Sequence, residues 1–581
     1  MTTDTSGVRF SVASGTMGRQ YSRVTESEKR TFRMKMKHMA ARAALIFCAT
    51  WAITFASVLA RADVETFWVP MADGTELVTD VHLPEGDAPF PSVLLRSTYG
   101  RGVTPPHLIK AGYAVVVQDV RGMGESDGEP YVFHYEGWRE GLTDGADTVA
   151  WIRRQPWCDG NVATYGGSAL GITQALLAPS TDGLKAQFIH AAVGDLYHFA
   201  AYHGGVFRQN MLENWLKGIK QAQLIPIYRE HPRYDAFWRY YNADARAAEI
   251  TAPALFVGGW YDIFQQGIIN AFQAREVNGG EGARGKNLLI MTWGAHGPDI
   301  TDDYGLKGNR FEVKEQDVYR AFLDYHLRGN EHALDNVPKV HYYLMGDDVA
   351  PDAPGNEWRT ADTWPPYPTH DTPFYLGADG ALTMGVAAED HTALQYTFDP
   401  ANPVPTHGGA NLFLRSGAFD QRHVREGRYD ILVFATDPLE EPLEIVGRVR
   451  VKLFVSSDAP DTDFTAKLVD VFPAGDEREI LMLDGIQRVK ARYSLGEAAP
   501  LLTGPEEVVE LEVDLWSTAW VLNTGHRIGL HVSSSNAPRF EVNPNTGADH
   551  PVAGEEMRTA VNRVHMGGVH PSRLILPVRP E

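Results

Sequence analysis

The stretch Val162-Ala163-Thr164-Tyr165-Gly166-Gly167-Ser168-Ala169-Leu170-Gly171 places a β-prone run at 162–165 directly before a helical one at 169–177, with only two glycines and a serine between them. A turn that short between strand and helix is strained, and it pushes the serine side chain out of the fold. The same rhythm continues on both sides. Residues 144–154 read as a helix and 188–193 as a strand, while Ser92-Val93-Leu94-Leu95, Ala114-Val115-Val116-Val117, 254–258 and 287–291 are short apolar runs of the kind buried on both faces of a parallel sheet. Partly alternating strands at 66–70 and 77–83 open the series, and a helix at about 313–327 closes it. Alternation of this kind predicts the α/β class with a doubly wound sheet.

Two segments break the rhythm. From residue 196 to about 248 Tyr, Trp, His and Phe recur at helical spacing, punctuated by Pro226 and Pro232, which reads as a helical insertion. Beyond about residue 338 no long helical period survives, and Pro, Gly and Asp separate alternating runs such as Val449-Arg450-Val451-Lys452-Leu453-Phe454-Val455. That half is all-β, a sandwich. A chain of 581 residues has room for two or three such units. With 44% hydrophobic, 10% aromatic and 22% charged residues it is neither disordered nor a small stapled scaffold. The net charge of −21, with no basic patch in the folded part, speaks against a nucleic-acid partner.

Residues 1–62 differ from the rest. They carry ten basic and three acidic residues, then an apolar stretch at 43–60 that ends in Ala60-Arg61-Ala62, a small-x-small cleavage pattern. This predicts a signal peptide with Asp63 first in the mature chain, a periplasmic or secreted location, and no stable membrane insertion once the segment is cut. An uncleaved anchor is the alternative, since the apolar stretch approaches the roughly 18 residues of a spanning candidate. Met34, Met36 and Met39 are alternative translation starts. Bulky Phe47 speaks against lipidation of Cys48, and after cleavage Cys158 is the one remaining thiol, so no intramolecular disulfide can form.

A serine nucleophile needs a base to take its proton and an acid to orient that base, and in α/β-hydrolases these follow in the order Ser, Asp or Glu, His on loops after later strands. The run at 254–258 leads into Gly259-Trp260-Tyr261-Asp262, and the run at 287–291 leads into Thr292-Trp293-Gly294-Ala295-His296. Ser168, Asp262 and His296 are therefore the candidate triad. The general G-x-S-x-G spacing fails, because position 170 is Leu and the second glycine arrives at Gly171.

The chain resembles the cocaine-esterase-like and X-prolyl dipeptidyl-peptidase serine hydrolases, which include the α-amino-acid ester hydrolases. The likeness runs through Arg96-Ser97-Thr98-Tyr99, Asp119-Val120-Arg121-Gly122-Met123-Gly124-Glu125-Ser126, the serine turn, Gly258-Gly259-Trp260-Tyr261-Asp262 and Trp293-Gly294-Ala295-His296-Gly297. It continues through Ser456-Ser457-Asp458-Ala459-Pro460-Asp461-Thr462-Asp463-Phe464 and His531-Val532-Ser533-Ser534-Ser535-Asn536. The family serine motif is G-x-S-Y-x-G, which accounts for Gly171; Ala169 in place of tyrosine is a departure that bears on the pocket beside the serine. The resemblance implies an α/β-hydrolase domain at 63–194 and 249–337, a helical cap at 195–248 and a jelly-roll domain at 338–581. It also implies that Ser168, Asp262 and His296 are nucleophile, acid and base, that the Tyr99 hydroxyl and the Ala169 N–H form the oxyanion hole, and that no metal or organic cofactor takes part. The expected partner is a small-molecule or peptide-like acyl substrate, with a homo-oligomer left open.

Three lesser signals are read as structural. Asp458, Asp461 and Asp463 lack EF-hand spacing; His565 and His570 have no third ligand or H-E-x-x-H pattern beside them; and Gly122, Gly124 and Gly128 miss the phosphate-loop spacing. Two other functions compete with an acyl-ester hydrolase. One is a peptidase releasing X-Pro dipeptides, and the other is a secreted carbohydrate-binding protein whose hydrolase half is inert.

Overall fold

The computed structural model describes residues 64–139, 141–297, 303–305, 313–385 and 388–579. The expected export segment, with Cys48, lies outside the described residues. Among the described residues no helix is long and apolar enough to cross a membrane.

The first sheet is built from β1 (Val64–Pro70), β2 (Glu76–His82), β3 (Phe90–Ser97), β4 (Ala114–Asp119), β5 (Cys158–Gly167) and β6 (Leu184–His190), joined after the insertion by further strands. Its two-residue period places Val93, Leu95, Val115, Val117 and Ala163 on one face, against Tyr319, Phe322 and Leu323 of helix Glu315–Arg328. Leu94, Ala114, Val116 and Val162 face the other way, against Val149 and Ile152 of helix Asp144–Arg153 and Leu177 of helix Ala169–Leu177. A strand covered on both faces has no polar side to alternate with, which is why all six residues of β4 are buried.

The insertion opens with one turn of π-helix, Tyr197–Ala201, and then a short hairpin, β7 (Tyr202–His203) and β8 (Val206–Phe207), before helices Gln209–Gly218, Leu224–Glu230 and Ala236–Arg239. The hairpin departs from the wholly helical reading. Gly204 and Gly205 turn it at φ of 54° and 77°. A Cβ on Gly204 would lie 2.0 Å from the Ile486 carbonyl, so the hairpin tip is pressed onto the β-rich half.

After the insertion come β9 (Ala254–Tyr261), β10 (Leu288–Ala295), β11 (Val340–Gly346) and β12 (Glu357–Ala361). The strand order is β1-β2-β4-β3-β5-β6-β9-β10-β11-β12, parallel from β4 to β11. The division drawn at residue 338 therefore cuts through hydrogen-bonded sheet. β11 lies beyond that line, yet Leu289, Ile290 and Met291 of β10 pair in parallel with Val340, His341 and Tyr342. At its far end Met345 and Gly346 pair with Trp520 and Val521 of the β-rich half.

That half is a two-sheet sandwich. Strands β13 (His370–Leu376), β14 (Leu382–Met384) and β15 (Thr392–Phe398) precede β16 (Leu432–Ala435), β17 (Leu443–Ser457), β18 (Asp463–Val471) and β19 (Glu479–Arg488). β20 (Val509–Leu522), β21 (Arg527–Ser533), β22 (Ala560–Met566) and β23 (Arg573–Val578) complete it. β16-β21-β18-β19 form one sheet; in the other, β17 pairs with β20 on one side and with β22 and β23 on the other.

His203 ties insertion and sandwich together. Its Nε2–H donates to the Asp514 carbonyl at 3.0 Å and its ring stacks on Trp516 at 4.9 Å. Burial pushes its pKa down to about 4, helped by Arg539 and Arg208 and opposed by Asp514. The unfolded chain binds a proton at this position below about pH 6.5, whereas the folded chain does so only near 4, so the contribution of His203 to stability falls as pH drops through that window. Urea titrations at pH 7 and pH 4 should show wild type losing more stability than His203→Gln, by on the order of 3 kcal/mol. Equal losses would contradict the assignment.

Candidate active site

Ser168 stands between β5 and helix Ala169–Leu177 at φ 56°, ψ −128°, a conformation an L-residue holds only when its surroundings impose it. The glycines make room for that turn. A Cβ on Gly166 would lie 2.6 Å from Leu170 Cβ, and one on Gly171 2.4 Å from Ala192 Cβ. The late glycine thus marks where the helix presses against the chain leaving β6. The Ser168 N–H donates to the His190 carbonyl at 2.9 Å and anchors the turn to β6. The Ala169 N–H is the first of the helix and has no acceptor within it.

Asp262 and His296 arrive from β9 and β10. Pairing runs from Thr292↔Gly259 to Ala295↔Tyr261, so β10 carries one extra residue there, a bulge that re-aims the strand end. A Cβ on Gly259 would sit 2.2 Å from the Gly294 carbonyl, so glycine at 259 is needed for the two strand ends to meet. Trp260 Nε1–H donates to the Tyr343 carbonyl at 2.7 Å and the Tyr261 hydroxyl to the Leu481 carbonyl at 2.8 Å, holding the acid loop against its neighbours.

The result brings three side chains into line. His296 Nδ1 lies 2.9 Å from Asp262 Oδ2 and His296 Nε2 lies 2.9 Å from Ser168 Oγ. An ionised carboxylate only accepts, so Nδ1 carries the proton and Nε2 presents its lone pair to the serine hydroxyl. Asp262 Oδ1 accepts the Phe264 N–H at 2.7 Å, and the Phe264 ring meets the imidazole edge-on at 5.4 Å. The His296 side chain is 7% exposed and that of Asp262 2%, so water competes little for either.

Ser168 and Ala169 open into a cavity of about 520 Å³, part of it open to solvent, whose walls come from three regions. Ile172, Ile263 and Phe264 belong to the α/β domain; Leu196, Met211, Leu212, Trp215 and Trp238 to the insertion; Leu412 to the sandwich half. Among the described residues that line it, none is charged. Tyr99, on the loop after β3, accepts the Trp215 Nε1–H at its hydroxyl at 2.9 Å, which joins the phenol to the cavity wall.

The chain is 36% identical to the cocaine esterase of Rhodococcus sp. (strain MB1 Bresler), over 88% of this chain and 97% of that one. The X-Pro dipeptidyl-peptidase (S15 family) model matches residues 73–226 and 213–298, and the X-Pro dipeptidyl-peptidase C-terminal non-catalytic domain model matches residues 331–575. The chain belongs to this family of serine hydrolases. Similar solved structures include an aminopeptidase from a marine sediment Thaumarchaeota archaeon, at TM-score 0.74 and 25% identity over 90% of this chain and 98% of that one. An α-amino acid ester hydrolase shares the fold at TM-score 0.73 and 24% identity, covering 91% and 99% of the two chains.

Within this S15-type hydrolase, Arg208 is a site neighbour that reading the sequence did not single out. It is buried, donates to the carbonyls of Phe199 and Ile263, and lies over the Trp516 ring. Burial pushes its pKa down to about 9, Arg539 pushes the same way, and Asp262 and Asp484 oppose. It thus clamps the backbone next to the acid and sets a positive charge near a buried carboxylate. Nothing local in the sequence marks it, because its partners are carbonyls 9 and 55 residues away. Of the insertion's aromatics, Trp215, Tyr228 and Trp238 line the cavity, while Tyr197 and Tyr202 stack on each other in the packing.

The lesser signals resolve individually. Asp463 pairs with Arg488 at 2.8 Å, and Asp461 accepts the Lys490 N–H at 2.9 Å. A Cβ on Gly124 would lie 2.1 Å from Asp119 Oδ2 and one on Gly122 2.4 Å from Pro130 N, so these glycines let the chain turn. The reading that His565 and His570 have no third partner is corrected: His391 joins them.

Proposed function

We propose that the chain hydrolyses esters of uncharged, apolar carboxylic acids through a covalent acyl-enzyme on Ser168. The observation that carries this is the continuous Asp262–His296–Ser168 hydrogen-bond chain at the mouth of a cavity whose described walls are uncharged. His296 Nε2 takes the Ser168 proton as Oγ attacks the ester carbonyl, and the carbonyl oxygen becomes an oxyanion held by the Ala169 N–H and the Tyr99 hydroxyl. The Trp215 N–H bond to that hydroxyl polarises it toward donation. Collapse expels the alcohol, which takes the proton from His296. Water then gives a proton to His296 and attacks the acyl carbonyl, and the acid leaves as the proton returns to Ser168 Oγ. Asp262 stabilises the imidazolium in both halves.

The cavity also bears on substrate class. An α-amino ester or an X-Pro peptide brings an ammonium group, and an ammonium buried without a counter-charge costs several kcal/mol. Among the described residues no carboxylate lines the cavity to offset that cost. The S15 match and the aminopeptidase likeness favour a second reading, cleavage of X-Pro amides, which the same assay separates. Aryl esters of acyclic and aromatic acids, their α-amino counterparts and an X-Pro amide are compared on wild type and Ser168→Ala. We expect kcat/KM for the uncharged esters to exceed that for the α-amino esters by at least about 100-fold. Comparable turnover of the X-Pro amide would favour the peptidase reading.

The basic and then apolar N-terminal segment supports export with cleavage before Asp63. N-terminal sequencing of protein recovered from the periplasm or medium tests this.

A further inference from the structure

At one edge of the sandwich His391, His565 and His570 converge, each with a ring nitrogen within 4.8 Å of one on the other two. Strand pairing brings them together. His391 immediately precedes β15, Ala393 of β15 pairs with His565 near the end of β22, and His570 lies in the turn between β22 and β23. Gly567 and Gly568 shape that turn at φ of 70° and 54°; a Cβ on Gly567 would lie 2.1 Å from the Asp390 carbonyl, and the Gly568 N–H donates to the Ala388 carbonyl at 2.9 Å. The backbone on both sides of the cluster is therefore held in register.

From this geometry we propose that His391, His565 and His570 form a binding site for a divalent transition metal of the zinc class. His391 Nε2 and His565 Nδ1 are 3.1 Å apart. Two imidazoles on one tetrahedral ion at about 2.05 Å place their nitrogens about 3.3 Å apart, so this pair already has the spacing of shared ligands. His570 closes the third position by a side-chain shift of an ångström or so, on the order of what separates 4.8 Å from that spacing. The remaining nitrogen of His565, Nε2, lies 2.9 Å from buried Ser456 Oγ. With that hydroxyl accepting Nε2–H, the ring keeps the tautomer whose Nδ1 lone pair faces His391 and the ion, the outer contact that ligating histidines characteristically make. Without an ion, one proton lies between His391 Nε2 and His565 Nδ1; binding requires His391 to carry its proton on Nδ1 instead.

Three neutral imidazoles suit zinc, cobalt, nickel or copper over magnesium or calcium. Such an ion would link the segment before β15 to the β22–β23 turn, in a protein whose cysteine among the described residues is a buried free thiol. None of the three histidines lines the catalytic cavity. The test uses the full purified chain, stripped with chelator and titrated with Co²⁺ while the visible bands of nitrogen-ligated cobalt are followed. We expect one equivalent to bind, to be displaced by Zn²⁺, and to raise the melting temperature. His391→Gln and His570→Gln, both outside the buried core, should each weaken binding at least about tenfold and leave ester hydrolysis unchanged. His391→Gln is the decisive variant, because its side chain is exposed and the fold does not depend on it. Failure of wild type to bind at micromolar cobalt, or a stoichiometry and affinity that both variants preserve, would overturn the proposal.

Discussion

Ser168→Ala should lower kcat on a good ester substrate by about 10⁶-fold with the fold intact, since it removes the oxygen that His296 Nε2 is placed to deprotonate. The residual rate reflects the oxyanion donors and cavity binding, which do not need the serine. A further expectation separates a catalytic chain from three independent contributors. Once Ser168 is gone, removing His296 as well should cost little more, because groups that act as a unit are not additive. Steady-state kinetics on the single and double variants reads this directly. Independent effects that multiply would contradict the shared mechanism.

Asp262→Asn should cost about 10⁴-fold in kcat, for a reason the hydrogen bonds specify. Asp262 Oδ1 accepts the Phe264 N–H and Oδ2 accepts His296 Nδ1–H. An asparagine has one acceptor for these two donors. Keeping the Phe264 bond turns its NH₂ toward His296, which must then accept at Nδ1 and carry its proton on Nε2. That tautomer cannot take the proton from Ser168. The loss should fall on kcat far more than on KM, since the cavity walls are untouched, and circular dichroism should be unchanged. A loss confined to KM would contradict the role.

Much of this candidate site is legible in the sequence because the three residues of its hydrogen-bonded chain all sit at ends of strands in a parallel sheet. Each is announced by a local pattern: the glycine-flanked turn at Ser168, and the apolar runs that lead into Asp262 and His296. Sequence order then gives each its expected role as nucleophile, acid or base. The glycines carry more information than their number suggests, since Gly171 reports helix packing on Ala192 and Gly259 reports contact with Gly294. What stayed hidden depends on contacts between distant segments. Leu412 reaches the cavity from the sandwich half. Arg208 acts through backbone carbonyls, for which no residue type is diagnostic. The hairpin at Tyr202–Phe207 is two residues per strand, too short for alternation to register, and is fixed by its docking onto the Ile486 carbonyl. His391 meets His565 across 174 residues through the β15–β22 register, which no local spacing encodes.

The central claim is that Ser168 is the nucleophile. Reaction of the whole protein with a fluorophosphonate, followed by intact-mass measurement and peptide mapping, tests it most directly. The account predicts one phosphonyl group per chain, on the peptide that carries Ser168, with loss of esterase activity in proportion to labelling and no labelling of Ser168→Ala. Labelling at a different serine, or esterase activity that survives full modification of Ser168, would contradict it.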